Sequence, residues 1–132
     1  MVWCLDTSAL VKLVVAEPET PALRSWLADE ERTPVASDLA RTELMRAVRR
    51  TLPDRAVLAH DILDAVTLIR LAPPVLDMAG RLAPTTLRSL DAIHLATALS
   101  LGDDLDGFVT YDDRQADAAR ANGVKVVAPG AQ

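Results

Sequence analysis

Residues 2–8 read VWCLDTS, a continuously apolar stretch that ends abruptly in three polar side chains. Such a run is typical of a strand that is buried on both faces and leaves its sheet at Asp6. Leu10, Leu13 and Val14 then recur at helical spacing, which predicts that a helix follows the strand at once. A buried strand that leads into a helix is the unit from which parallel sheets are built, so we predict an α/β fold.

The same alternation continues through the rest of the chain. Apolar spacing, together with the positions of proline, glycine and asparagine, predicts helices over 8–16, 20–31, 38–52, 54–68, 75–82, 90–101 and 113–121. Extended segments are predicted at 34–36, 107–110 and 124–128. Ser37 and Asp38 are the expected N-caps of the helix over 38–52. Strands that alternate with helices imply a mainly parallel sheet covered on both faces.

Composition narrows the class of protein. A chain of 132 residues fits one compact domain, which we assign to residues 1–132. Half of the residues are apolar and 3% are aromatic, so we expect an aliphatic core rather than the core of a β-sandwich. The 14 basic and 19 acidic residues give a formal net charge of -5, which excludes binding of nucleic acid through a broad basic surface.

Cysteine usage and hydropathy bear on the compartment. The single cysteine, Cys4, has no partner, which excludes a disulfide scaffold and a thiolate metal site and suits a reducing interior. No stretch approaches the ~20 apolar residues of a membrane span, and the N-terminus lacks a signal-peptide pattern. We therefore expect a soluble cytoplasmic protein.

Carboxylates follow two of the predicted strands. Asp6 follows the first strand, and Asp112 and Asp113 follow the strand over 107–110. In open parallel sheets, ligands bind beyond the carboxyl ends of the strands, so these acids are candidate functional residues. Capping is the alternative for both, because Asp6 precedes a helix and Asp112 has capping-box spacing to Gln115.

Two further acids lie within predicted helices. Glu43 falls at the edge of the apolar arc of its helix, which turns the carboxylate toward the core unless it pairs with Arg46 or Arg50. Asp91 opens a helix that is apolar nearly all round. The helix dipole favours the Asp91 anion, whereas burial would raise the pKa of this carboxyl unless a cation lay nearby.

The ligand types indicate which cation that would be. Carboxylate oxygens are plentiful and no paired histidine or cysteine spacing is present, which favours Mg²⁺ or Mn²⁺ over zinc. His60 and His94 lie within helices, and we assign neither a chemical role.

Four motifs occur in order along the chain: LDTSAL at 5–10, TEL at 42–44, LDAIHLA at 90–96 and TYD at 110–112. Together they resemble the PIN domain and, more narrowly, the VapC toxins of bacterial type II toxin–antitoxin systems. The resemblance spans almost the whole chain. It implies a PIN-like three-layer α/β/α sandwich with a mainly parallel central sheet.

The same resemblance implies a Mg²⁺- or Mn²⁺-dependent endoribonuclease that cleaves RNA phosphodiester bonds with a metal-activated water. Asp6, Glu43, Asp91 and Asp112 would be both catalytic and metal-binding, with Asp6 and Asp91 as the firmest ligands. Asp113 is the alternative to Asp112 as the fourth acid.

Polar and basic neighbours complete the expected site. By resemblance, Thr7, Ser8 and Thr110 would orient ligands or water. The arginines at 46, 49 and 50 offer a local basic run for the RNA backbone, unless they only form a solvated helix face.

The implied partners are an RNA substrate and a VapB-like antitoxin that inhibits the enzyme. The toxin itself is expected to be a homodimer that forms a heterotetramer or a larger assembly with the antitoxin. No membrane partner is expected.

Three other classes of protein share some of these features. A haloacid dehalogenase-like phosphatase needs a second acid two residues after the first, where this chain has Ser8. A receiver domain needs an acid pair after the first strand and a lysine at the last turn, whereas this chain has only Lys12 and Lys125. The third alternative is a catalytically silent PIN-like interaction module whose acids only cap helices.

Overall fold

Five parallel strands form the centre of the computed structural model, which describes residues 1–131. The strands are β1 (Val2–Leu5), β2 (Thr33–Ser37), β3 (Thr67–Ile69), β4 (Leu105–Val109) and β5 (Val126–Val127). Their order across the sheet is β3-β2-β1-β4-β5, and every neighbouring pair is parallel. The order therefore reverses at β1, which lies between β2 and β4. In parallel sheets such a reversal opens a crevice at the carboxyl ends of the strands.

Helices cover both faces of this sheet. They are α1 (Thr7–Lys12), α2 (Thr20–Leu27), α3 (Ala40–Thr51), α4 (Ala56–Ala65), α5 (Pro73–Arg81), α6 (Ser89–Leu99) and α7 (Asp113–Ala121). Short 3₁₀ turns occupy Pro53–Arg55 and Gly102–Asp104. The predicted α/β fold with a mainly parallel sheet is confirmed. None of the helices in residues 1–131 is long and apolar enough to cross a bilayer.

Alternation along β1 separates two cores. Trp3 and Leu5 point into a core that α1 to α4 cover, whereas Cys4 points into a second core beneath α6 and α7. Successive side chains of a strand point to opposite faces, so one apolar run supplies both cores. Phe108 on β4 is the largest fully buried side chain and belongs to the second core. The apolar run that begins the sequence thus forms the central strand and contributes to both cores.

The predicted helix over 54–68 is wrong at its C-terminal end. Helix α4 ends at Ala65, and Thr67–Ile69 form β3. This strand pairs in parallel with residues 35–37 of β2. The apolar spacing continues to Leu68, but the backbone of β3 finds its hydrogen-bond partners in the sheet instead.

The first two helices are shorter than predicted. The ranges 8–16 and 20–31 contract to α1, which ends at Lys12, and α2, which ends at Leu27. The Thr20 hydroxyl donates to the Lys12 carbonyl oxygen at 2.7 Å. That bond satisfies one of the free carbonyls at the end of α1 while the chain turns away.

Ser37 and Asp38 are not the N-caps of α3, which corrects the sequence prediction. The N-cap residue is Leu39, and it forms no side-chain cap. Ser37 remains in β2, and its hydroxyl accepts a hydrogen bond from the Leu39 backbone N–H at 3.2 Å. Because Ser37 pairs within the sheet, α3 begins at Ala40, two residues later than predicted.

Candidate active site

The four acids singled out in the sequence lie around the crevice at the carboxyl ends of β1 and β4. Asp6 follows β1 directly, and Asp112 follows β4 after two residues. Glu43 lies in the first turn of α3 and Asp91 in the first turn of α6. The strand order reverses at this point, where ligands of parallel sheets bind.

Asp6 is buried, with 4% of its surface exposed, and protein donors occupy both of its carboxylate oxygens. Oδ1 accepts from the Ser8 hydroxyl at 2.6 Å and from the Ala9 backbone N–H at 3.2 Å. Oδ2 accepts from the Thr110 hydroxyl at 2.5 Å. Burial raises the pKa of Asp6, although these hydrogen bonds and the nearby His94 lower it. The bond to Ala9 caps α1, so the capping and site interpretations of Asp6 hold together.

Thr110 links Asp6 to Asp112. Its hydroxyl donates to Asp6 and accepts from the Asp112 backbone N–H at 3.1 Å. The Ser8 hydroxyl lies 3.3 Å from that of Thr110 and accepts from the Tyr111 backbone N–H at 3.0 Å. These bonds tie the ends of β1 and β4 together and fix the Asp6 carboxylate and the Asp112 backbone relative to the sheet.

Glu43 turns inward, as its position on α3 predicts. Its Oε1 accepts from the Thr7 hydroxyl at 2.8 Å and from His94 Nε2 at 2.5 Å. Within residues 1–131 it forms no ion pair with Arg46 or Arg50, the alternative left open by the sequence. Burial raises the pKa of Glu43, but the hydrogen bonds from His94 and Thr7 and the His94 charge outweigh burial and lower it.

Asp91 lies among like charges. Its carboxylate accepts no hydrogen bond from residues 1–131, and it is half-buried. Burial raises the pKa of Asp91, and the charges of Asp112 and Glu43 raise it further against the opposing charges of His94 and Arg88. The ionised carboxylate is therefore unfavourable here without a cation.

The geometry favours Asp112 over Asp113 as the fourth acid. Both acids are exposed at the start of α7, but it is the Asp112 charge that raises the pKa of Asp91. Asp112 Oδ1 also accepts from the backbone N–H groups of Arg114 and Gln115 at 2.9 and 3.2 Å. Like Asp6, it caps a helix and borders the crevice at once.

Sequence reasoning missed two buried partners of these acids. His94, 2% exposed, contacts Glu43 and lies 3.2 Å from the Thr7 hydroxyl. Its spacing of three from Asp91 on α6 puts both side chains on one face, which was the available signal. Gln115 is fully buried, and its amide Nε2 donates to the Asp91 carbonyl oxygen at 2.9 Å. Its capping-box spacing to Asp112 pointed to a different contact.

The acids match a divalent cation in charge and ligand type. Carboxylate oxygens are the ligands that Mg²⁺ and Mn²⁺ prefer. Within the described chain, neither Asp6 nor Asp91 forms an ion pair with lysine or arginine, so a bound cation would offset their buried charge. No three His, Cys, Asp or Glu side chains of residues 1–131 converge as a preformed metal site. The fit is therefore one of charge and chemistry, without preset coordination.

Replacing Gln115 with leucine is expected to lower the free energy of unfolding by about 0.5–1.5 kcal/mol, because the hydrogen bond from its amide to the Asp91 carbonyl is lost. Urea denaturation measures the change. Asn122→Ala is the matched control: its amide donates to the Ala118 and Ala83 carbonyls at 2.9 Å each, but Asn122 is less buried than Gln115, so water can replace these bonds. A loss for Gln115→Leu no larger than that of the control would contradict the role of Gln115.

Comparison with known proteins shows the family of the chain. Residues 3–121 match the family model described as the PIN domain. Ribonuclease VapC46 of Mycobacterium tuberculosis is 50% identical over 126 residues, which cover 95% of each chain.

Solved structures show the same fold. The crystal structure of M. tuberculosis VapC20, described as a sarcin–ricin loop cleaving toxin, aligns with a TM-score of 0.77 at 18% identity, over 96% of this chain and 99% of that one. A toxin–antitoxin complex from Klebsiella pneumoniae aligns with a TM-score of 0.70 at 23% identity, over 96% of each chain.

Proposed function

Because the chain belongs to the PIN-domain family, among its VapC ribonucleases, we propose that it is a Mg²⁺- or Mn²⁺-dependent endoribonuclease toxin that cleaves RNA phosphodiester bonds. One observation carries the proposal: the elements that bear the four acids meet where the strand order reverses, and the charges of Glu43 and Asp112 act on Asp91. Hydrogen bonds through Thr7, Thr110 and Gln115 join their elements. Helix caps alone would not require Glu43 and Asp91 to turn toward the same crevice.

Asp6 and Asp91 would hold the cation, with Glu43 and Asp112 beside them. When bound, the cation supplies a Lewis acid that activates water and neutralises charge on the scissile phosphate. The side chains of the protein hold the carboxylates in place. Thr110 and the hydroxyl of Ser8 orient the Asp6 carboxylate.

The partners of the other acids also act by positioning. Thr7 and His94 hold the Glu43 carboxylate in its ionised form, consistent with its lowered pKa. Gln115 fixes the backbone of Asp91 against the start of α7, where Asp112 lies. Such contacts keep charged groups in a productive geometry before the substrate arrives.

The test begins with metal, because an unknown RNA target can make a true ribonuclease appear inert. We expect Mn²⁺ to bind the wild-type protein in an electron paramagnetic resonance titration. We also expect cleavage of a mixed tRNA and rRNA pool that EDTA stops and Mn²⁺ restores. Glu43→Gln should lose activity, whereas Asp61→Asn, which changes an exposed acid on α4, should retain binding and cleavage.

Absence of both Mn²⁺ binding and cleavage in the wild-type protein would refute the enzyme. It would favour the catalytically silent interaction module, and the search would turn to protein partners.

We also propose that a VapB-like antitoxin inhibits the enzyme, and that the toxin acts as a homodimer in the cytoplasm. The toxin–antitoxin complex of the same fold supports the antitoxin. An apolar groove of about 400 Å³, with walls that include Leu13, Leu27, Leu58 and Ile62, would offer it a contact surface. Exposed apolar side chains such as Leu76 and Leu90 offer surface for a second copy. In the cleavage assay, purified antitoxin should stop the reaction.

A further inference from the structure

A large cavity borders the acids on the side of α7. Its volume is about 930 Å³, and it lies between the segment 83–88 and α7, reaching Asp91 and Asp112. We call it the loop cavity. A hydrated ion needs far less room, whereas small-molecule ligands occupy sites of roughly 300–1,000 Å³. The acids thus form one end of a much larger concave surface.

Two arginines line the loop cavity without an acidic partner. Within residues 1–131, the side chains of Arg88 and Arg114 form no ion pair or hydrogen bond, and both residues are exposed. Arg88 is close enough to Asp91 for its charge to act on that carboxylate. By contrast, Arg32, Arg41 and Arg120 pair with acids. A free guanidinium presents a planar set of donors that matches phosphate oxygens.

The remaining walls suit a nucleotide better than a simple anion. Pro84 and Leu87 give the segment 83–88 an apolar face, and Ala118 and Ala121 do the same on α7. Such surfaces pack against the face of a base or a ribose, whereas a phosphate gains nothing from them.

Two more acids line the loop cavity, Asp113 and Asp117. Their carboxylates repel further phosphates and accept hydrogen bonds from the amino groups of bases. The lining thus pairs cationic contacts for a strand backbone with apolar and acceptor surface for its bases. This combination fits a segment of single-stranded RNA.

We propose that the loop cavity binds the nucleotides next to the scissile phosphate, with Arg88 and Arg114 on the RNA backbone and a base against the apolar wall. The inference rests on the proposed ribonuclease function and deepens it by naming substrate-binding residues. The basic run expected from the sequence, residues 46–50 on α3, does not line this cavity.

Fluorescence anisotropy with a fluorescein-labelled, single-stranded RNA 12-mer of mixed sequence tests the proposal, in EDTA to prevent cleavage. Arg88→Gln and Arg114→Gln should each weaken binding about tenfold and lower the slope of log affinity against log salt by about 1. Arg55→Gln is the matched control. Arg55 is also exposed, but it lies beside α4 on the opposite face of the sheet.

Binding by both cavity variants at wild-type affinity would overturn the proposal, as would failure of the wild-type protein to bind the 12-mer at all. The cleavage assay separates this inference from the function on which it rests. Unchanged KM and kcat in the cavity variants would refute RNA binding in the loop cavity but would not contradict the proposed ribonuclease activity. Arginine-dependent RNA binding by a wild-type protein that neither binds Mn²⁺ nor cleaves RNA would support the cavity as an RNA site and refute the ribonuclease.

Discussion

Asp91→Asn is expected to reduce RNA cleavage by about a thousandfold and to raise the melting temperature of the metal-free protein. The loss of activity follows because a carboxylate that holds a catalytic cation is worth several kcal/mol in the transition state. The gain in stability follows because the Asp91 charge is half-buried, accepts no protein hydrogen bond and lies near Asp112 and Glu43. Asparagine keeps the shape and removes the charge.

The stabilising effect should depend on pH. The pKa of Asp91 is raised above its ordinary value of 3.8 in the folded protein, so protonation favours folding. The contribution of protonated Asp91 is complete below the ordinary pKa and is lost as pH rises through the folded-state pKa. Asp91→Asn should therefore stabilise the protein most at neutral pH, with the gain shrinking as pH falls toward 4. Differential scanning calorimetry in EDTA at several pH values measures this trend.

Asp61→Asn provides the control, because it removes an exposed acid from α4 and should leave both readouts unchanged. A melting temperature lowered by Asp91→Asn together with intact cleavage would show that Asp91 serves only its helix end. That result would favour the interaction module over the enzyme.

Phe108→Ala is expected to lower the free energy of unfolding by about 3–5 kcal/mol, the usual cost of emptying an aromatic core position. Phe108 is fully buried on β4, where it is in register with Cys4 on β1 and Val126 on β5. The loss is a large share of the ~5–15 kcal/mol that holds a typical domain together.

Guanidinium chloride titration measures this loss. Val57→Ala is the control, since Val57 is 74% exposed and its truncation should change stability by less than about 0.5 kcal/mol. A cost below 1 kcal/mol for Phe108→Ala would contradict the packing described for the second core.

The sequence predicts the fold wherever the signal is local. The side chains of residues 2–5 alternate between two cores along one strand. Because all four residues are apolar, the sequence alone predicts that this strand is buried. The sequence does not predict strand β3, because the strand has only three residues and the apolar spacing of α4 continues into them. This segment forms a strand because it pairs with β2, which is distant in sequence.

The same distinction applies to the site. Asp6 and Asp112 follow predicted strands, so the topology of a parallel sheet brings them together. The contact between His94 and Glu43 joins residues 51 positions apart, and that between Gln115 and Asp91 joins residues 24 apart. Nothing in either local pattern specifies such partners. The loop cavity depends in the same way on how α7 and the segment 83–88 pack.

The bond from Thr110 to Asp6 has a consequence for when activity can begin during synthesis. It joins residues 104 positions apart, so the first acid is made long before the segment that orients it. At about 5–20 residues per second, that interval lasts roughly 5–20 s on the ribosome. A nascent or truncated chain without β4 has Asp6, Glu43 and Asp91 but not Thr110 or Asp112. The four acids, with the hydroxyl that orients Asp6, are therefore complete only when translation is nearly finished.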